Sequence, residues 1–445
     1  MLNKNILDFN ENLIGLRDFV ELIDPILNDK FEEHNQHVQP LVMSAMIKES
    51  LESEKDWEDG EKEKMLRFQE IIEKNIAEKY SEKPELYIEK KEGINDEDSK
   101  RFSIKIKSPD TEISNHIDNV KKTKNHIELL YKNSLISALS SVEWFFSQLL
   151  HFYYDKHPES AGIQKKTLTL SDLKDFGSIQ DAEKYLVDTK IDDIIRGNFE
   201  SWIALLKSDL NLNLGYLNPM IKDLVEIYQR RNLFVHIGGI VNSIYLSKVD
   251  KEFKKDLING SKLIIDKEYL DKAILKLQKA FILVGAELWK KLSPEDTTRC
   301  EILGDIIYEN LLHNRWEICE GLCYFSIKDS LANPIDKVLA QINYWLCKKE
   351  LNEYSSIEKE INKADFSDKK EIFQLGLFSI RGEIEKAIEL LPIVLETEQT
   401  NIKRLEEFPI LKELRETDEY KKFKENSKFF KEENKDIKTL ETVEK

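Results

Sequence analysis

From Thr123 to Tyr154 the apolar residues return at three- and four-residue steps, and no other stretch of the chain keeps that spacing so long. Leu135, Leu139, Val142, Phe146, Leu149 and Tyr153 form one stripe of a helix, widened by Trp144, Phe145 and Leu150. A stripe of this length cannot be left in water, so the chain must supply other helices to cover it. Glu143 interrupts the stripe. A carboxylate there is either an edge residue reaching solvent or one half of an ion pair.

The rest of the composition agrees with a helical protein. With 15 glycines and 10 prolines in 445 residues, turn punctuation is sparse. Hydrophobic residues make up 41%, enough for ordinary cores in two or three domains. The formal charge of −17 excludes a generic cationic nucleic-acid binder, so any RNA contact must rest on a local basic patch. Cys300, Cys319, Cys323 and Cys347 contain no CxxC pair and read as free thiols of a reducing cytoplasm. The start Met1-Leu2-Asn3-Lys4-Asn5 does not look like a signal peptide, and the longest uncharged apolar run, about Ala280 to Ala286, is too short to span a bilayer. The expectation is a cytoplasmic, mainly α protein without a membrane partner.

Residues 1–118 read as a small α+β module. Leu13 to Leu27 and Met65 to Ile76 have helical spacing. Leu86-Tyr87-Ile88 and Phe102 to Ile106 alternate as half-buried strands around the acidic turn Gly93 to Asp98, which predicts a hairpin. His34 and His37, beside Glu32 and Glu33, suggest a metal site less than they suggest a solvated helix face.

A second charge falls on an apolar face. In the run from Asn218 into Gln229-Arg230-Arg231-Asn232-Leu233-Phe234-Val235-His236-Ile237-Gly238-Gly239, the stripe is Met220, Leu224, Ile227, Tyr228, Arg231 and Val235. Arg231 therefore needs a partner, and Glu143 is the natural candidate. Arg230 aligns instead with Asp223 and Glu226 on a face that reads as solvated. Asn232 and His236 share a side, whereas Arg231 and His236 lie roughly 140° apart on an ideal helix. Either the helix loosens at its glycines or a second copy of the protein completes a site. The bland alternative is an arginine that merely bridges to a buried carboxylate and a histidine that caps a helix end.

Arginine, asparagine directly after it, and histidine four residues further on resemble the motif of the HEPN superfamily. Ser134 to Phe146 is similar to the first helix of many such domains, and the sequence after the glycines, with Tyr245, continues in a similar way. Ser171 as an N-cap, helices to Lys190 and over Ile191 to Leu206, Pro219 in the first turn of the motif helix, and a final helix Lys267 to Leu292 complete a bundle over residues 119–292. The resemblance implies a helical, homodimeric, metal-independent endoribonuclease needing no cofactor. Arg231 would hold phosphate oxygens by charge-assisted bonds. His236, an imidazole able to exchange protons near neutrality, would take the 2′-hydroxyl proton, and Asn232 would position it. Glu143, Arg230 and Tyr245 would support them. Cleavage would leave 2′,3′-cyclic phosphate and 5′-hydroxyl ends. Lys121, Lys122, Lys124, Lys132 and Arg230 could flank an RNA path, although each lysine alone reads as helix surface.

Residues 293–425 become a series of short helix pairs. Leu339 to Cys347, Tyr354 to Ile361, and Phe373 to Leu391 with its Gly382-x4-Ala387 step resemble tetratricopeptide-type repeats, closed by Phe408 to Phe423. Such repeats imply a protein partner or trigger. Residues 426–445 read as a charged, frayed tail. HEPN nucleases joined to helical repeats imply a toxin or effector of a bacterial antiviral defence system. Two other classes compete: a catalytically inactive dimeric scaffold, and a nucleotide sensor using the same arginine and histidine without cutting. No Walker-type glycine loop, zinc spacing or Ser-His-Asp arrangement with convincing context is present.

Overall fold

The computed structural model describes residues 2–52, 57, 60–79, 85–91, 101–107, 111–163, 167–255 and 257–431. The protein is mainly α, and no helix among the described residues is long and apolar enough to cross a membrane. Two compact units emerge. One comprises Met1–Gly15, Leu135–Leu263 and Glu268–Lys445, the other Leu16–Ser134 and Ile264–Lys267. These limits do not fall at residues 118 and 292: α3 runs unbroken through residue 118, and the chain on both sides of residue 292 belongs to one unit.

The unit built from Leu16–Ser134 contains most of α1 (Leu2–Glu52), all of α2 (Glu61–Lys79), the strands β1 (Glu85–Lys91) and β2 (Arg101–Lys107), and the first half of α3 (Thr111–Lys156). The strands pair antiparallel with Leu86 opposite Ile106 and Ile88 opposite Ile104, as the alternation predicts. The acidic turn Gly93 to Asp98 lies outside the described residues. Val38, Leu41, Ile47, Ile72, Ile76, Ile113 and Ile117 form the core of this unit. Asp24 accepts hydrogen bonds from Tyr131, Asn28 and Lys267. His34 and His37 are not simply solvated: His116 approaches His34 ring nitrogen to ring nitrogen at 3.1 Å and stacks on His37 with centroids 3.9 Å apart. The spacing in the sequence could not reveal the third histidine, which comes from another helix.

In the other unit, the second half of α3 is covered as its stripe demands. Leu135, Leu139, Val142, Phe145, Phe146, Leu149 and Leu150 are fully buried, whereas Trp144 is 38% exposed and does not widen the stripe. This half of α3 is met by α5 (Ile179–Ile195), α6 (Phe199–Ser208), α7 (Ile221–Ile237) and α9 (Lys267–Leu292), while α4 (Leu170–Phe176) packs on α5 and α8 (Ser243–Lys248) on α7. The helix expected to start after a Ser171 cap already includes Leu170 and Ser171, two residues earlier than such a cap allows, and α7 starts two residues beyond Pro219. Phe9 stacks on Phe145 and Phe146 on Trp202, both at 4.4 Å, and Phe281 meets both pairs edge-on. Each fully buried ring contributes on the order of 2–3 kcal/mol. α9 approaches so closely that a Cβ on Gly285 would stand 2.9 Å from Phe145. Leu270, Ile274, Leu277, Phe281, Val284 and Leu288 are all buried, as their spacing requires.

The chain continues through α10 (Thr298–Leu312), α11 (Trp316–Lys328), α12 (Pro334–Glu350), α13 (Tyr354–Lys363), α14 (Glu371–Arg381), α15 (Ile384–Glu396), α16 (Ile402–Glu407), α17 (Lys412–Glu416) and α18 (Asp418–Asn426). Arg299 and Asp329 are bonded at 2.7 Å and both fully buried. The four cysteines are free thiols; Cys319, Cys323 and Cys347 are buried in the core, where the Cys319 thiol donates to the Ile307 carbonyl at 3.5 Å. The charged tail begins later than residue 426: Phe430 is buried, its ring against Phe423, and residues 432–445 lie outside the described residues.

Candidate functional site

α7 is one unbroken helix that stops where its glycines predict. Gly238 takes the left-handed conformation (φ 65°), and the amides of Gly238 and Gly239 both return to the Leu233 carbonyl. Gly239, at φ 84°, has no room for a side chain, since a Cβ would fall 2.6 Å from the Phe234 ring. Beyond it, Val241, Tyr245, Val249 and Leu263 close over Leu233 in a small apolar cluster. The end of α7 is thereby held fast although its last turn is exposed.

Arg231 pairs with Glu143 of α3, so the two charges on apolar faces satisfy each other. They lie at the edge of a cavity of about 330 Å³. Asn232 and His236 line it too, together with Tyr228 and Gln229. The 140° separation does not need a loosened helix. At 100° per residue, the lining residues of α7 from Arg231 through Tyr228, Asn232 and His236 to Gln229 sweep roughly 160°. The cavity wraps almost half the helix.

Its opposite wall is the turn between α5 and α6, Ile195-Arg196-Gly197-Asn198-Phe199. Asn198 caps α6, its Oδ1 accepting from the Ser201 amide at 2.8 Å. Gly197 is required there, because a Cβ would stand 2.7 Å from Ser201 Oγ and 2.9 Å from the Ile194 carbonyl. Arg196, Asn198 and Gln229 are site residues that the motif did not point to. A glycine followed by a capping asparagine marks a helix start in the sequence, but nothing there says that this start faces α7.

Two polar atoms in the wall are unmet. The Tyr228 hydroxyl is buried without a hydrogen-bond partner, and so is Arg231 Nε, whose guanidinium otherwise bonds Glu143. Burial, and then the Glu143 carboxylate, push the Tyr228 phenol well above its ordinary value and keep it a donor. Both unmet atoms are donors, and a donor pair of this kind fits an anionic guest.

Arg230 and Tyr245 do not line this cavity. Arg230 is no solvated residue: its side chain is 13% exposed, bonded at 2.7 Å to Glu226, which is 1% exposed. The Tyr245 and Tyr269 hydroxyls each donate to Glu226 at 2.7 Å, and the Arg230 guanidinium lies 3.9 Å over the Tyr269 ring. The wheel put Arg230 and Glu226 together correctly. It could not show that α8 and α9 cover them. Val235, expected on the buried stripe, is 46% exposed, because full burial along that stripe stops at Tyr228. Lys121, Lys122, Lys124 and Lys132 belong to the other unit, where the first three are exposed and Lys132 is half-buried. Among the described residues no group of three or more His, Cys, Asp or Glu side chains is arranged to hold a metal ion.

No known family model matches the chain, and no curated protein or solved structure matches it.

Proposed function

We infer that the chain is a metal-independent endoribonuclease of HEPN type, acting as a toxin or effector in antiviral defence. The observation that carries this is the convergence of Arg231, Asn232 and His236 on one cavity whose unmet polar atoms are both donors. A phosphodiester held there would place its non-bridging oxygens on the free edge of Arg231 and on the Tyr228 hydroxyl. His236 takes the proton of the 2′-hydroxyl as that oxygen bonds to phosphorus. The bond from phosphorus to the 5′-oxygen breaks, and the leaving oxygen collects a proton from an acid on the opposite side. Products are a 2′,3′-cyclic phosphate and a 5′-hydroxyl. Glu143 orients Arg231 without touching substrate, and Asn232 positions the imidazole or the ribose.

Val235, Ile237, Ile240 and Ile244, all within eight residues of His236 in the chain, are exposed. Such a patch fits a homodimer formed across the end of α7, which would bring a second His236 close enough to serve as the acid. The short helices beyond residue 293 form repeats of tetratricopeptide type that receive a partner or trigger.

The test is induction of wild type, Arg231→Ala and His236→Ala in a bacterial host, with end-group analysis of total RNA. Growth arrest with cyclic-phosphate ends, lost in both variants, is expected. Identical behaviour of all three, with RNA intact even after phage challenge, would leave an inactive scaffold. A nucleotide-induced thermal shift retained in both variants would favour sensing.

A further inference from the structure

A second cavity, of about 510 Å³, lies among α10, α12, α14 and α16. Its volume falls in the range that holds small organic ligands. Most of its wall is apolar, including Ile342, Leu375 and Phe408. Its charged lining residues are three carboxylates, Glu301, Asp305 and Asp336, and one cation, Arg404; Glu301, Asp305 and Arg404 are exposed at its rim and Asp336 is half-buried. Asp336 accepts from Asn333, while Glu301 and Asp305 have no ion pair among the described residues. In the wall itself Asn343 is 4% exposed, and its Oδ1 has no hydrogen-bond partner. A buried amide oxygen left unmet is unfavourable, and a bound donor would remove that cost.

We propose that this cavity binds a small organic amine: a protonated nitrogen met by Glu301, Asp305 and the Asn343 amide, on an apolar body covered by Ile342, Leu375 and Phe408. Charge complementarity decides the head group, since carboxylates outnumber the single guanidinium. The walls decide the body. They are faces of helices whose backbone groups are already bonded internally, so an extended peptide laid inside would leave its own amides unpaired, whereas a compact amine would not. The Cys300 thiol at the same wall is pushed up by burial and then by Asp329, Asp336 and Glu301, against the opposing pull of Arg299. This site is separate in residues and chemistry from the cavity at Arg231.

Gly304 provides a clean block. It lies in α10 at the cavity wall, and a Cβ there meets nothing within 4 Å, so Gly304→Leu fills the space while favouring the helix. The full-length protein would be titrated calorimetrically with n-octylammonium, n-octanoate and n-octanol. Saturable binding of octylammonium, at least about tenfold tighter than octanoate, is expected. Gly304→Leu should abolish it, and the Glu301→Gln/Asp305→Asn double variant should bring octylammonium and octanol to similar affinity. Equal affinities for ammonium and carboxylate, binding that survives Gly304→Leu, or no saturable binding would overturn the proposal. So would binding of a lysine-containing apolar peptide under conditions where octylammonium fails to compete. RNA cleavage is not read in any arm, so the outcome is independent of the nuclease proposal.

Discussion

Arg231 and Glu143, 88 residues apart in the chain, meet as an ion pair at the edge of a cavity, with side chains 18% and 28% exposed. The pair is neither a surface bridge nor a buried one. Glu143 holds one edge of the guanidinium and leaves Nε without a partner.

Glu143→Gln should therefore cost little stability and much activity. Partial exposure limits the loss to about 1 kcal/mol. Misplacing the guanidinium should slow RNA cleavage by about 10²-fold. Denaturant unfolding and cleavage of a fluorogenic RNA, measured on the same preparations, check both. A purely structural pair would show the reverse, with stability lost and the cleavage rate unchanged.

Tyr245 should matter to stability alone. Its hydroxyl donates to Glu226 away from the cavity. Tyr245→Phe removes that bond but leaves Glu226 to Arg230 and Tyr269, so the loss should be about 1 kcal/mol. The cleavage rate should stay within about twofold of wild type. A fall as large as that of His236→Ala would return Tyr245 to the catalytic site.

Asp329 makes the stability of its unit sensitive to acid. Burial works to raise its carboxyl, but the hydrogen bond from Arg299 and the backbone amide of Leu331 prevail and hold it below the ordinary range. A carboxyl depressed in the folded state contributes stability above its unfolded value near ~3.9, and that contribution is lost as pH falls through the folded value. Asp329→Ala strands a fully buried guanidinium and should cost about 3–5 kcal/mol at neutral pH. Urea unfolding from about pH 6 down to about pH 3 should show wild type converging on the variant.

The histidine group of the other unit should respond at higher pH. His37 is held below its ordinary value by burial, then by His116, Lys79 and His34, against the opposing pull of Glu112. A base depressed on folding contributes stability above its unfolded value near ~6.5 and loses it as pH falls toward the folded value. Thermal unfolding at about pH 8 and about pH 5.5 should thus differ, and His116→Gln should shrink the difference. An unchanged pH profile in that variant would show that the stacking is electrostatically idle.

The spacing of apolar residues located several helices by itself, although it marked only Leu13 to Leu27 of α1 (Leu2–Glu52) and began α3 at Thr123 rather than Thr111. The stripe on α3, the span of α9 and the glycine stop of α7 follow from local rules of period and backbone freedom, and those act within a few residues. The pairing of Arg231 with Glu143 was legible for a related reason: two charges on apolar faces each demand a partner, and few candidates exist. Tertiary structure alone decided which faces are covered. Arg230 and Glu226 occupy a polar-looking side of α7 that α8 and α9 bury, while Val235 lies on an apolar side left open. Packing likewise brought Arg196 and Asn198 to the cavity and His116 to His34 and His37. Helix period states which residues share a side, but only the neighbour across the interface determines what that side meets.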